Sequence, residues 1–182
     1  MALLTTTAIA AAIPMAACGD DSSPEQDAAD TAAEVCSTLV DWSNDLTASM
    51  NSTSEAITDA DDPDTANDML LDGFDEMIDL AQGHVDEADD LDLPDNDNSD
   101  RLVDELEAGA EKSIEELERG RDAAAELDPI DIDGQAGAIG GAMNAVESAK
   151  SVVEPVIADY DDEALQQAFR DEPDCQHVIQ PF

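Results

Sequence analysis

From about residue 28 onward, apolar residues recur at three- and four-residue steps in four successive blocks, the spacing of one helix face. The first block, Ala28 to Ile57, carries Val35, Leu39, Trp42, Leu46, Met50 and Ile57, and Pro63 within DADDPD closes it. The second, Thr65 to Ala88, carries Leu70, Phe74, Met77, Ile78, Ala81 and Val85. LDLPDNDNSD then reads as a loop broken by Pro94. The third, Ser99 to Leu127, carries Leu102, Val103, Leu106, Ala110, Ile114, Leu117, Ala124 and Leu127, and Asp128-Pro129 stops it. The fourth, Gln135 to Tyr160, carries Ile139, Met143, Val146, Val153, Val156 and Ile157. Period-two alternation is nearly absent, so the predicted class is all-α.

Helices of ~24 residues would each be ~36 Å long. Joined by short loops, they predict an antiparallel up-down-up-down four-helix bundle. A short C-terminal fifth helix is expected over Asp162 to Arg170, with Leu165 and Phe169 facing inward, Asp161 or Asp162 as its N-cap, and an end before Pro173. Pro155 removes a helical hydrogen bond and predicts a kink or a restart near Val152. Gly140-Gly141 either weakens the same helix or admits a close neighbour.

Before the blocks, residues 2–17 read ALLTTTAIAAAIPMAA without a charge, too short to span a bilayer comfortably but suited to an export signal. The run ends at Met15-Ala16-Ala17-Cys18 and turns polar at Gly19-Asp20-Asp21-Ser22-Ser23. Small residues before that Cys resemble the lipobox of bacterial lipoproteins. The resemblance implies that Cys18 is acylated and becomes the mature N-terminus, held at the membrane by more than one acyl chain. Met15 stands where that family more often has Leu. The first base in the chain is Arg101, so either the true start lies upstream of Met1 or the signal is atypical. The alternative is a plain secretory signal cut near Ala17.

Two features favour acylation. GDDSSPEQDAAD has little to bury and reads as a soluble tether. Three Cys in an exported chain leave an odd one, and assigning Cys18 to lipid pairs Cys36 with Cys175. The organisation expected is a signal peptide over 1–17, an acylated Cys and acidic flexible tether over 18–32, and a helical domain over 33–182. In an up-down-up-down bundle the fourth helix ends at the pole where the first begins, so Cys175 can reach Cys36. Closing that loop would stabilise the fold by at most about 5 kcal/mol.

Together with the tether and the Ala-rich body, Ala33-Glu34-Val35-Cys36 and Pro173-Asp174-Cys175-Gln176 make the chain resemble the small secreted lipoproteins of high-GC Gram-positive bacteria. That resemblance implies an envelope protein with no assigned activity. It adds a location, the outer face of the cell membrane, and no chemistry.

Charge narrows the partners. The 182 residues include 47 Asp and Glu against 6 Lys and Arg, a formal net charge of −41, which excludes most nucleic-acid binders. A hydrophobic fraction of 42% suffices for a core in one domain. Residues 1–100 hold 26 acids and no base, and residues 101–182 hold 21 acids and all six bases. Such carboxylates repel one another, and the Debye length falls from ~10 Å at 0.1 M salt to ~3 Å at 1 M. An Asp-rich, Lys-poor surface therefore suggests a saline habitat. The alternative is a polyanionic face that recruits a cationic partner.

No motif for catalysis emerges. A di-iron bundle needs Glu-x-x-His, but Ala81 precedes His84 and Asp174 precedes His177 at that spacing. Both histidines are expected to be solvent-exposed. GQAGAIGGA lacks the Lys-Ser/Thr ending of a phosphate loop and reads as helix packing or a frayed helix start. Asp128 to Gly134 places a Gly at the sixth position of an EF-hand, but Pro129 and Gly140 then occupy the first and twelfth. Asp95 to Asp100 fails similarly, with Asp100 in the Gly place and Leu106 in the Glu place. Looser oxygen sites at Asp86 to Asp92 or Asp95 to Asp100 would be millimolar at best. The expectation is a lipid-anchored, non-catalytic interaction or envelope-associated module without cofactor or metal, able to take an unknown protein partner. The alternative is a weak cation- or small-solute-binding protein, with a pocket near Pro155 or acids in the second loop.

Overall fold

The structure, a computed structural model, describes residues 23–91, 93, 97–158 and 162–179, with side chains for all of these except 132, 146, 148–158 and 177–179. It is helical throughout: α1 (Pro24–Asp59), α2 (Pro63–Asp89), α3 (Asp97–Ala125), α4 (Ile132–Ala158), α5 (Glu163–Asp171) and α6 (Pro173–Ile179). No strand occurs among the described residues.

Local chemistry fixes several helix starts. Ser23 caps α1, its hydroxyl accepting from the Gln26 N–H at 3.3 Å, and Pro24 follows where a missing N–H costs nothing. Asp62 caps α2 in the same way before Pro63, accepting from the Thr65 N–H at 3.0 Å and the Thr65 hydroxyl at 2.9 Å. Those two donors hold the Asp62 carboxyl below its ordinary range. Asp162 caps α5 by accepting from the Ala164 and Leu165 N–H groups at 2.8 and 3.2 Å.

These caps shift the limits read from the apolar stripes. Helix α1 begins at Pro24, so residues 24–32, expected as tether, are helical, and Ala28, Thr31 and Ala32 are buried. A sixth helix opens at Pro173, where a tail was expected, because Pro suits the first helical position as well as it ends a preceding helix. Helix α4 runs unbroken through Pro155, in place of a restart near Val152. A β-carbon at Gly140 or Gly141 would meet nothing within 4 Å among the described residues, so neither glycine makes room there for a close neighbour.

The interior divides into two layers. One joins Val35, Cys36, Leu39 and Trp42 of α1 to Ala88 of α2, Leu102, Leu106 and Ala110 of α3, Leu165 and Phe169 of α5, and Cys175 of α6. The other gathers Leu46 of α1, Leu70, Phe74 and Met77 of α2, Leu117 and Ala124 of α3, and Ala138, Ala142 and Ala145 of α4. Among the described side chains of α4, alanines at i, i+4 and i+7 meet the core, one residue off the predicted stripe, with Ile139 partly buried beside them and Met143 57% exposed. Small side chains bring backbones close: the Ser113 hydroxyl of α3 donates to the Ala145 carbonyl of α4 at 2.9 Å. Side chains at Val153, Val156 and Ile157 lie outside the described ones.

Candidate functional site

Two sequence-predicted site residues come together. Cys36, in the fourth turn of α1, and Cys175, in the first turn of α6, sit with Cα atoms 5.0 Å apart and their sulfurs at disulfide distance, across 139 residues of chain. Both are buried. Helix α6, which the apolar pattern did not disclose, presents Cys175 to α1. Cys18 lies outside the described residues.

The other chemically distinctive group was missed by sequence reasoning. His84 of α2 is 4% exposed, in place of the solvent-exposed side chain expected. Its ring stacks on Trp42 of α1, with centroids 4.8 Å apart and planes 11° from parallel. The Trp42 Nε1–H donates to Glu87 Oε2 at 2.8 Å, one turn further along α2. A stacked pair of this kind adds about 0.5–1.5 kcal/mol beyond the area that it buries. His84 Nε2 has no hydrogen-bond partner. Burial lowers the proton affinity of the imidazole below the ordinary value of 6.5, outweighing the opposite pull of Glu87 and Asp45. The available signal was spacing: His84 lies three residues after Ala81 and four before Ala88, on the stripe that faces the core. His177 falls in α6, with its side chain outside those described.

Carboxylates elsewhere serve local structure. Asp128 Oδ1 accepts from the Ile130 N–H at 3.2 Å, and Asp131 Oδ1 from the Gly134 N–H at 2.9 Å, so the EF-hand-like stretch is a capped turn into α4. Buried Gln135 closes that turn by donating to the Pro129 carbonyl at 3.1 Å. The glycine-rich stretch after it is helical. Arg121 of α3 forks onto Asp75 of α2, with Nη2 to Oδ2 at 3.3 Å, and Arg119 pairs with Glu116 on its own helix. The Asp75 carboxylate holds the Arg121 guanidinium still further toward its charged form.

A surface groove of about 320 Å³ runs between α1 and α5, floored by Ala29, Ala164 and Ala168 and rimmed by Glu25, Asp171 and Glu172. Its lining includes neither Pro155 nor an acid of the second loop, the pocket positions expected from the sequence. No three His, Cys, Asp or Glu side chains among the described residues converge as a metal ion requires. None of the described helices is long and apolar enough to cross a membrane. Comparison of the chain with protein-family models, curated proteins and solved structures finds no match.

Proposed function

We propose that this chain is an exported, lipid-anchored helical bundle that presents its surface to a protein partner at the outer face of the cell membrane, without catalysis. The observation that carries the reading is the Cys36–Cys175 pair. Two buried sulfurs at disulfide distance suit an oxidising compartment and are uncommon in a reducing one. They also leave Cys18, at the end of the uncharged N-terminal run, as the Cys free for lipid.

The bundle reading is supported by the order of contacts. Trp42 and Thr53 of α1 meet His84 and Gly73 of α2, so positions fall along α2 as they rise along α1. Phe74 and Asp75 of α2 meet Gly120 and Arg121 of α3, while Ala88 shares a layer with Leu102. Antiparallel neighbours joined by short turns give this reversal. The acids, spread over the exposed faces, act in this reading as a surface that salt screens.

The test is expression of the full chain in a bacterial host, with metabolic labelling by a fatty-acid probe and fractionation. Label and membrane retention should both be lost in Cys18→Ser. Unlabelled protein in the cytosol with Cys36 and Cys175 open to alkylation would overturn the reading. The α1–α5 groove favours a second reading, weak binding of a cation with a small apolar body. Stabilisation by one cation beyond its ionic-strength match would select it.

A further inference from the structure

We propose that His84 makes the junction of α1 and α2 acid-sensitive: on mild acidification the imidazole takes a proton, the Trp42–His84 stack separates, and the surrounding core layer opens. The inference does not depend on lipid anchoring or on the identity of a partner.

Three features of the site lead to it. First, His84 is 4% exposed and its Nε2 lacks a partner, so the neutral ring is tolerated, whereas a second proton would create a buried cationic donor without an acceptor. Second, Glu87, the carboxylate one turn away, accepts the Trp42 N–H, so the group that pulls toward an imidazolium also holds the indole on which the ring stacks. Third, Trp42, on which the ring stacks, belongs to an apolar layer. Asp45 of α1 and Glu87 of α2 are the charged groups that pull toward the cation. Helix α3 brings Leu102, Leu106 and Ala110 to this layer, and α5 and α6 bring Leu165, Phe169 and Cys175. The described core residues of α4, Ala138, Ala142 and Ala145, belong to the other layer.

The direction follows. Burial keeps the folded-state proton affinity below the ordinary 6.5, so the unfolded or opened state binds the proton first as pH falls. The stabilisation from a neutral, stacked His84 is complete above about 6.5 and is lost as pH falls below it. In the open state the imidazolium would reach water, Asp45 and Glu87 together. The two states therefore differ in which charge they accommodate, as a histidine switch requires. Attraction of a cation to the indole face works the other way.

The test uses the full chain in 1 M NaCl, where repulsion among surface carboxylates is screened. Trp42 is the sole tryptophan, so its emission reports the stack directly. Emission and the thermal midpoint would be followed from pH 8 to 5, with His84 titrated in parallel by NMR and assigned through His177→Gln. The expected result is a reversible red shift centred below pH 6.5, coincident with His84 protonation, and a fall of a few degrees in the midpoint. His84→Phe, which keeps a stacked ring without a titrating proton, should show neither change. Should that variant fail to fold, the coincidence of the wild-type NMR and emission curves decides alone. Constant emission while His84 titrates, titration at or above pH 6.5, or the same red shift in His84→Phe would each overturn the proposal.

Discussion

Gly73 of α2 lies so close to Thr53 of α1 that a β-carbon at position 73 would stand 2.2 Å from the Thr53 hydroxyl oxygen. That hydroxyl donates to the Ser49 carbonyl on its own helix at 2.9 Å and is buried, so it has little room to turn away. Gly73→Ala gains about 1 kcal/mol in helix propensity. Overpacking against Thr53 costs about 1–3 kcal/mol, and the net change should be destabilising. Urea melts of Gly73→Ala, Thr53→Ala and the double variant measure this, and the double variant should recover part of the loss as a coupling term. Additive effects would mean that the two residues do not touch.

Glycines without neighbours should respond in the opposite sense. A β-carbon at Gly83 or Gly140 would find nothing within 4 Å. Gly83→Ala and Gly140→Ala should therefore each stabilise the protein by roughly 0.5–1 kcal/mol. A loss of stability at either position would reveal a contact on that face.

The Ser113 hydroxyl ties α3 to α4 through the Ala145 carbonyl, in a place where both helices meet over small side chains. Ser113→Ala should cost about 1 kcal/mol, read as a lower urea midpoint with an unchanged slope. Ser113→Val should cost more, because added volume pushes the helices apart.

The helical class and most of the inward face were legible in the sequence, since Val35, Leu39, Trp42, Leu46, Leu70, Phe74, Leu102, Leu106 and Leu117 all lie on their predicted stripes and are buried. Large side chains carry that signal because only burial rewards their spacing. Helix α4 escaped it. Its described core positions are Ala138, Ala142 and Ala145, and alanine is too common on every face of this chain to mark one, so larger Met143 drew this part of the stripe outward. His84 escaped for a related reason: a polar residue on a buried face is read as exposed unless its packing partner is known, and Trp42 lies 42 residues earlier. The Cys pair was legible because it rested on counting and chain topology, neither of which needs side-chain detail.

The Cys pair yields a direct check. Reduction of the native protein should raise its intact mass by two hydrogens, and thiol reagents should modify neither Cys36 nor Cys175 beforehand. Loss of the bond by Cys175→Ser should lower stability by up to about 5 kcal/mol. Free-thiol reactivity at both positions in the native protein would sink the bond.

Screening should stabilise the whole molecule. With 47 acids against 6 bases, raising NaCl from 0.1 to 1 M should increase the melting midpoint, and KCl at equal ionic strength should match it. A midpoint indifferent to salt would show that self-repulsion is not a significant opponent of this fold. A specific effect of CaCl₂ or MgCl₂ beyond the matched salt would instead identify a bound cation.

With the Cys36–Cys175 bond in place, the segments linking α1 to α2, α2 to α3, α3 to α4, α4 to α5 and α5 to α6 all lie inside one covalent ring. A protease that cuts any single one of them opens the ring but releases nothing, because the two pieces remain tethered through sulfur. Nicked and intact protein would then migrate alike by mass until reduced, and the nicked form would keep both halves of its core side by side. A chain so closed requires two cuts, or a cut and a reductant, before any part between Cys36 and Cys175 is lost.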